Sequence, residues 1–181
     1  MQTRQSQWIT AEAARADGHR WRARASALLT GIGTVKDDDP LLNVRYVDTS
    51  RQPNKVLVDS RLDISPAARM LADPGVAIVT ALDENMAKPS TWQQLIDAGH
   101  RIVSLPNAQG KVDLAAMMQW LAQDGVNELH IEAGYKLNGS LLREQCVDEL
   151  LIYLAPRLLG RGMEMFDLPA LERIPDQTAW E

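Results

Sequence analysis

The chain has 181 residues, of which 45% are hydrophobic and 24% charged, which is the composition of one globular domain with a sizeable core. Its formal net charge of -5, with no block of like charges, argues against a nucleic-acid-binding surface, and its apolar runs are far too short to span a bilayer. The single cysteine, Cys146, excludes an intramolecular disulfide and a cysteine-based metal site, and the polar start "MQTRQSQWIT" lacks a signal-peptide core, so we expect a cytoplasmic protein.

The first half of the chain alternates between helical patterns and short apolar runs. "TAEAARADGHRWRARAS" predicts a helix with Thr10 as its N-cap, and "ALLTGIGTV" predicts a strand that ends in glycines. "KDDDPLLNVR" is expected to turn and extend, because Pro40 disfavours helix at the residue before it. "NKVLVDS" predicts a buried strand, and "SPAARML" a short helix capped by Ser65.

The second half continues the alternation. It predicts, in order, the strand "GVAIVT", the helix "STWQQLIDAG" ending at Gly99, the strand "RIVSL", the helix "VDLAAMMQWLAQDG", the strand "NELHIE", the helix "LNGSLLREQ" and a long final strand "VDELLIYLAPRLLG". Strands that alternate with helices at this spacing predict an α/β fold, with a mostly parallel central sheet covered by helices on both faces.

The stretch "HIEAGYKLNGSLL", residues 130–142, predicts a strand that turns into a helix. Ligands of α/β sheets bind at such turns, where Gly134 allows close approach and the helix N-terminus favours an anion. Lys136 and Ser140 would add contacts, and Gly139 would thin the helix wall beside a cofactor or a neighbouring strand. The pattern is neither G-x-G-x-x-G nor a P-loop, so a plain turn with a packing glycine is the alternative.

A second glycine loop, "TGIGTVKDDDP", spans residues 30–40. Its glycines would let a nucleotide approach, and three consecutive aspartates raise the possibility of a Mg²⁺ or Ca²⁺ site. Consecutive residues point in different directions, however, so solvated turn aspartates, or one aspartate that accepts from a backbone N–H, are the favoured interpretation.

Arginines form the third candidate. Arg15 and Arg22 lie on one face of the first predicted helix with His19 between them, and Arg45 follows the aspartates. Arginine suits bidentate phosphate capture, although a solvated helix face is the ordinary alternative. The three histidines lack zinc-ligand spacing, no G-x-S-x-G elbow occurs, and Cys146 is expected to be a small buried residue. Such a set favours chemistry carried by a bound cofactor.

Several segments, taken together and in order, resemble a known family. They are "SQWIT", "GHRWRARASALLTGIGTVKDDDPLLNVR", "VLVDSRLDI" and "IEAGYKLNGSLLREQCVDELLIYLAPRLLG". The set is similar to the reductase domain of the bifunctional riboflavin-biosynthesis deaminase–reductase, over nearly the whole chain. The resemblance implies a dihydrofolate-reductase-like fold, a homodimer, and NADPH-dependent reduction of the ribosyl group of 5-amino-6-(5-phosphoribosylamino)uracil without a metal.

The resemblance also implies roles for individual residues. The substrate-binding residues would be Ser6, Arg22, Leu42, Arg45 and Glu132. The cofactor-binding residues would be Trp8, Thr34, Asp38, Ser60, Gly134, Tyr135, Lys136, Leu137, Asn138, Gly139 and Ser140. On this interpretation the aspartate run contacts the cofactor and holds no metal, and no catalytic side chain is assigned.

The chain also departs from the family pattern. Tyr135-Lys136 replace the Pro-Thr that usually follows the first glycine of the loop, and Asn138 stands where alanine is common. The family's first strand, which carries a Lys and an S-x-D-G turn, its final strands and the zinc-binding deaminase domain are expected to lie outside residues 1–181. A catalytically silent NADPH-binding or dimerisation module therefore stays open, as does a reductase of another pterin-like or pyrimidine substrate.

Overall fold

The computed structural model describes residues 11–156, 162 and 164–170 of the chain. Its helices are α1 (Glu12–Arg24), α2 (Ile32–Asp38), α3 (Pro89–Asp97), α4 (Leu114–Gln123) and α5 (Tyr135–Arg143), and its strands are β1 (Ala27–Gly31), β2 (Asn54–Val58), β3 (Ala77–Thr80), β4 (Arg101–Ser104) and β5 (Leu129–Ile131). None of the described helices is both long enough and apolar enough to cross a membrane.

The strands form one parallel sheet in the order β4-β3-β2-β1-β5. All five residues of β1 are buried, because this strand is paired on both sides: Leu29 lies opposite Val56 of β2 and opposite Ile131 of β5. The carboxyl ends of β1 and β5 therefore meet at one edge of the sheet, where the two predicted glycine loops begin.

Two hydrophobic clusters cover the two faces of the sheet. One contains Leu28, Leu57 and Ile78 and packs against α2 and α3 through Val35 and Leu95. On the other face, the second cluster contains Leu29 and Val79 and packs against α4 and α5 through Met117 and Leu141. Successive strand residues alternate between the clusters, as the pleat requires. The predicted α/β architecture with helices on both faces is confirmed.

One prediction was wrong just after β1. The expected strand "ALLTGIGTV" ends at Gly31, and the residues that follow form α2 instead of a turn. Ile32 and Val35 are spaced three residues apart, so a helix directs both side chains to the core, where Val35 is buried and Ile32 is partly buried. Asp39 then takes the left-handed conformation with φ 40° and ends the helix before Pro40.

The short helix predicted over "SPAARML" is also reduced. Only Arg69–Leu71 form a 3-10 turn, because Ala68 has an extended backbone and interrupts the helix. The Ser65 hydroxyl accepts a hydrogen bond from the Ala67 N–H, so Ser65 closes a turn rather than caps an α-helix. A helix of so few residues forms too few hydrogen bonds to offset the conformational entropy that its backbone loses.

The long final strand predicted over residues 147–160 is absent from its described part. Residues 147–156 form no β-ladder, and Leu154 is 88% exposed. The Tyr153 hydroxyl donates to Asp17 of α1 at 2.7 Å, so this segment is tied to a helix and not to the sheet. An apolar run becomes a strand only where another strand offers its edge, and here a cavity lies between the segment and β5.

Candidate functional site

Two helices begin side by side at the carboxyl edge of the sheet. Gly31 is the N-cap of α2 and Gly134 is the N-cap of α5. Because both cap residues are glycines, neither helix has a side-chain cap. A Cβ atom added to Gly134 would lie 3.7 Å from Thr34 Oγ1, so the two loops face each other. Their first-turn N–H groups lack a side-chain cap and point toward the edge where a negative group is favoured.

The predicted α5 residues do not all face that edge. Lys136 is exposed, with its Nζ 5.9 Å from the centre of the Tyr135 ring, and Asn138 Nδ2 donates to the Ala133 carbonyl. Gly139 faces a different neighbour: an added Cβ would lie 2.4 Å from the Asp167 carbonyl oxygen. The absence of a side chain at Gly139 therefore allows the Asp167 backbone to pack closely against α5.

Ser140 and Leu137 are also engaged within the chain. The Ser140 hydroxyl accepts a hydrogen bond from Arg143, which also donates to the Asp167 carbonyl. Leu137 contacts the core on the α4–α5 face and lies 3.1 Å from the position of a Cβ on Gly31. Within the loop, the residues most open to a ligand are therefore Gly134 and Lys136.

Arg22 and Glu132 form the strongest polar contact of the site. Arg22 Nε and Nη2 donate to the two carboxylate oxygens at 2.5 and 2.6 Å, and Nη1 donates to the Asn43 carbonyl at 2.8 Å. His130 Nε2 lies 3.4 Å from the same carboxylate. Burial alone would raise the pKa of Glu132, but hydrogen bonds from Arg22 and His130 and their charges outweigh burial and lower it to about 2. Glu132 is therefore an ionised acceptor at neutral pH.

The loop at residues 42–46 brings Arg45 to the same place. Leu42 is 2% exposed and packs in the core with a left-handed backbone (φ 50°). Arg45 Nη1 donates to Asn43 Oδ1, and its guanidinium carbon lies 5.3 Å from the centre of the exposed Tyr46 ring. The Arg45 side chain itself is exposed, so its charge is open to an anion.

A cavity of about 830 Å³ unites these groups. Its lining includes Arg22, Arg45, Glu132 and Asn138, and therefore brings three of the predicted substrate residues together with one residue of the predicted cofactor loop. The volume is in the range of cavities that enclose drug-sized ligands. Arg15 and His19, which the sequence places on the same helix face, line it as well.

The cavity follows the outer edge of β5. Leu129 and Ile131 line it and pack on the α4–α5 face, whereas His130 and Glu132, which also line it, approach α1 from the opposite face. Because residues from both faces of β5 line the cavity, the cavity reaches the outer edge of this strand. Among the described residues, no strand pairs with this edge of β5.

The remaining predicted residues lie apart from the cavity lining or beyond the described chain. Asp38 is exposed at the last residue of α2, and Ser60 follows β2, where its hydroxyl accepts from the Val112 N–H. Asp39 Oδ1 accepts from the Arg69 N–H at 2.9 Å, so one aspartate of the run does satisfy a backbone donor as expected. Within the described ranges no three His, Cys, Asp or Glu side chains cluster as metal ligands. Ser6 and Trp8 lie outside the described residues.

The sequence reasoning missed three residues that shape the site: His130, beside Glu132; Tyr46, in the cavity lining; and Gln52, whose side-chain amide bonds to the Val44 backbone in the loop before Arg45. His130 and Glu132 are two residues apart on a strand, so their shared face was predictable from the period of the strand. Gln52 and Tyr46 have no comparable sequence pattern, because both lie in a loop and their positions depend on tertiary contacts.

Cys146 is half-buried. The pKa of its thiol is raised mainly by burial, and further by the charges of Glu144 and Asp113.

Comparisons with known proteins agree on one family. A family model described as the RibD C-terminal domain matches residues 1–180. The riboflavin biosynthesis protein RibD of Escherichia coli is 33% identical over 97% of this chain, and the 5-amino-6-(5-phosphoribosylamino)uracil reductase of Buchnera aphidicola is 31% identical over 88%. The chain spans 50% of the former protein and 80% of the latter.

Solved structures show the same relationship. Acinetobacter baumannii RibD superimposes with a TM-score of 0.81 at 30% identity, over 99% of this chain and 48% of that one. A Saccharomyces riboflavin-biosynthesis reductase, Rib7, gives 0.57 at 17% identity, which shows likeness of fold alone. The fold is therefore of the dihydrofolate-reductase-like type that the resemblance implied.

Proposed function

Since the chain belongs to the family of RibD C-terminal domains, we propose that it is an NADPH-dependent reductase that converts the ribosyl group of 5-amino-6-(5-phosphoribosylamino)uracil to a ribityl chain. The observation that carries the proposal is the pair of uncapped helix N-termini at Gly31 and Gly134, beside a cavity lined by Arg45, Arg22 and Glu132. The first feature suits the phosphates of a dinucleotide, and the second suits a phosphorylated, hydroxyl-rich substrate.

The cofactor fit rests on Gly134 and Thr34. The backbone of Gly134 is extended, with φ -79°, so glycine is not required there for conformation. A side chain at this position would instead extend into the space facing Thr34 Oγ1. A bound NADPH would supply the hydride, while the N–H groups of α2 and α5, Thr34 and Lys136 would hold its phosphates.

Substrate binding divides between the two arginines. Three of the five guanidinium N–H groups of Arg22 already donate to Glu132 and Asn43, so its main role is to fix the carboxylate. Arg45, exposed at the cavity, is the better phosphate ligand. Glu132, held ionised, would accept hydrogen bonds from the hydroxyls or amino groups of the substrate, and its low pKa makes it a poor proton donor.

The assembly and location of the enzyme belong to the same proposal. We infer a cytoplasmic homodimer that works with a deaminase domain, either fused or separate. The cytoplasmic location and the homodimer are taken from the resemblance alone. The two kinds of relative support the choice between a fused and a separate partner domain: the chain covers 50% of the E. coli protein but 80% of the Buchnera reductase.

The test is NADPH oxidation with the deaminated pyrimidine substrate. It should be run on this chain and on a version extended at its N-terminus by one further strand of the family type. Turnover by either version supports the proposal. Absence of turnover by both would refute it.

Among the described residues no strand pairs with the outer edge of β5, and this edge favours a second candidate, a silent module that binds NADPH or a partner subunit without catalysis. A sheet edge with unpaired N–H and C=O groups is a template for association. Titration with NADPH separates the two candidates: saturable binding without turnover supports the module, and absence of binding weakens both.

A further inference from the structure

The loop that presents Arg45 is fixed by side chains from outside it. The Asn43 carbonyl accepts from Arg22, and the Val44 N–H and carbonyl are bonded to the Gln52 amide at 2.8 and 3.1 Å. The Arg45 N–H donates to His19 Nδ1 at 3.2 Å. The backbones of three consecutive loop residues, 43 to 45, are thus held by hydrogen bonds. His19 holds the last of them, Arg45, whose side chain is exposed.

This geometry determines the protonation state of His19. A ring nitrogen that accepts from a backbone N–H carries no proton, so the neutral imidazole has its proton on Nε2. His19 is 5% exposed. Burial, followed by the charges of Arg22 and Arg45, lowers its pKa to about 4, and the Glu132 carboxylate opposes this only partly. A protonated Nδ1 would replace the acceptor with a second donor and separate the loop from α1.

The same imidazole also contacts the next residue of the loop. His19 meets the Tyr46 ring edge-on, with centroids 4.8 Å apart and planes 81° apart. Tyr46 in turn lies beneath the Arg45 guanidinium at 5.3 Å. His19 is therefore linked to Arg45 twice, through the backbone directly and through the ring of Tyr46.

We propose that His19 is a positioning residue for substrate binding: its unprotonated Nδ1 holds the Arg45 backbone so that the Arg45 guanidinium is presented to the phosphate of the substrate. The proposal rests on the function inferred above, because it needs Arg45 to be a substrate ligand. It assigns His19 no contact with the reacting atoms.

Two variants separate positioning from packing. His19→Asn keeps an acceptor oxygen near the place of Nδ1, whereas His19→Leu keeps bulk and removes the acceptor. With the full chain, or the extended version if only that turns over, we expect His19→Leu to raise the KM for the pyrimidine substrate about tenfold, the effect of one lost hydrogen bond. The KM for NADPH and kcat should change less than about twofold, and His19→Asn should restore most of the substrate KM.

Two measurements do not depend on turnover. ¹⁵N NMR of the imidazole should show an unprotonated Nδ1 and a transition near pH 4. Hydrogen exchange at the Arg45 amide should be slow in the parent and in His19→Asn, and faster in His19→Leu. Both measurements can be made even if the chain has no activity. The NMR measurement on the unsubstituted protein can be made even if His19→Leu does not fold.

The proposal would be overturned by an Nδ1-protonated tautomer, by a transition near the ordinary histidine pKa, or by an Arg45 amide equally protected in His19→Leu. Equal loss of affinity for NADPH and the pyrimidine would overturn it as well. If the NMR results hold but neither chain turns over, the proposed function fails while the His19–Arg45 contact remains.

Discussion

Arg22 of α1 and Glu132, which follows β5, are 110 residues apart in sequence and share two parallel hydrogen bonds at 2.5 and 2.6 Å. The side chains are 14% and 33% exposed. This pair joins a helix on one face of the sheet to the strand that borders the cavity. The contact therefore serves both the stability of the fold and the position of the carboxylate.

Loss of Arg22 should destabilise the protein more than loss of the neighbouring Arg24. Arg22→Ala leaves the partly buried Glu132 carboxylate with only His130 beside it, and we expect a cost of about 2–3 kcal/mol in the free energy of unfolding. Arg24 pairs with Glu128 at 2.8 Å, but these side chains are 60% and 36% exposed, so Arg24→Ala should cost less than about 1 kcal/mol.

Urea unfolding of the single and double variants of each pair checks this expectation. A double-mutant cycle should give a larger coupling energy for Arg22–Glu132 than for Arg24–Glu128. Equal coupling energies would mean that the two hydrogen bonds to Glu132 add nothing to an ordinary surface ion pair.

Acid should destabilise the protein in two successive windows. The unfolded chain protonates His19 near its ordinary value of 6.5, whereas the folded protein does so only at about 4, so stability falls as pH drops between these values, by at most about 3 kcal/mol. For Glu132 the ordinary value is 4.5 and the folded value about 2, so its contribution is lost over that lower range.

Two variants distinguish the contributions of His19 and Glu132 in the two pH windows. His19→Asn should reduce the upper one, to which the buried His100 also contributes because burial lowers its pKa as well, and Glu132→Gln should reduce the lower one, when unfolding is measured by urea across the pH series. Burial raises the pKa of Asp59, which acts in the opposite direction, so the differences between variants are the test and not the raw slope. An unchanged upper slope in His19→Asn would contradict the burial of a neutral imidazole.

Arg45→Ala should damage substrate binding much more than cofactor binding. Its exposed guanidinium is assigned to the substrate phosphate, and one charge-assisted hydrogen bond is worth about 1.5–3 kcal/mol, or roughly tenfold to a hundredfold in KM. Steady-state kinetics with each ligand varied in turn measure the effect. Arg20→Ala, on the exposed side of α1 with a side chain 68% exposed, is the control and should change neither value.

Equal increases in both KM values for Arg45→Ala would show that the assignment to the substrate is wrong. Unchanged values would place the phosphate elsewhere in the cavity.

Gly134 and Gly139 should respond differently to substitution, although both lie in the predicted cofactor loop. Gly134→Val adds bulk where an added Cβ meets only Thr34 Oγ1 at 3.7 Å, so it should weaken NADPH binding about tenfold or more with little loss of stability. Gly139→Ala would place a Cβ 2.4 Å from the Asp167 carbonyl oxygen and should destabilise the fold by about 1–3 kcal/mol through overpacking.

NADPH titration and thermal unfolding of both variants measure the contrast. If Gly139→Ala lost NADPH affinity at unchanged stability, Gly139 would belong to the cofactor site after all. If Gly134→Val unfolded at lower temperature without loss of affinity, the phosphate position between α2 and α5 would be wrong.

The architecture and most elements follow from the amino-acid sequence alone. β2, β3, β4, α3 and α4 lie where the sequence predicted them. The strands are short apolar runs, of which β3 is buried throughout, and α3 ends at a clear signal, Gly99, which has a φ of 81°. The parallel sheet followed from the alternation, since parallel strands need a crossover. The order of motifs was also sufficient to suggest the family.

Which side chains contact one another depends on the tertiary structure. The segment "VDELLIYLAP" has the composition of a strand, but no partner edge pairs with its described residues, so it stays without a ladder. Sequence spacing could not show that Arg22 binds Glu132, that Gly139 faces Asp167, or that His19 accepts from Arg45. These contacts join residues far apart in the chain, and their geometry is set by the packing of α1, α5 and the loop around β5, which local propensity does not encode.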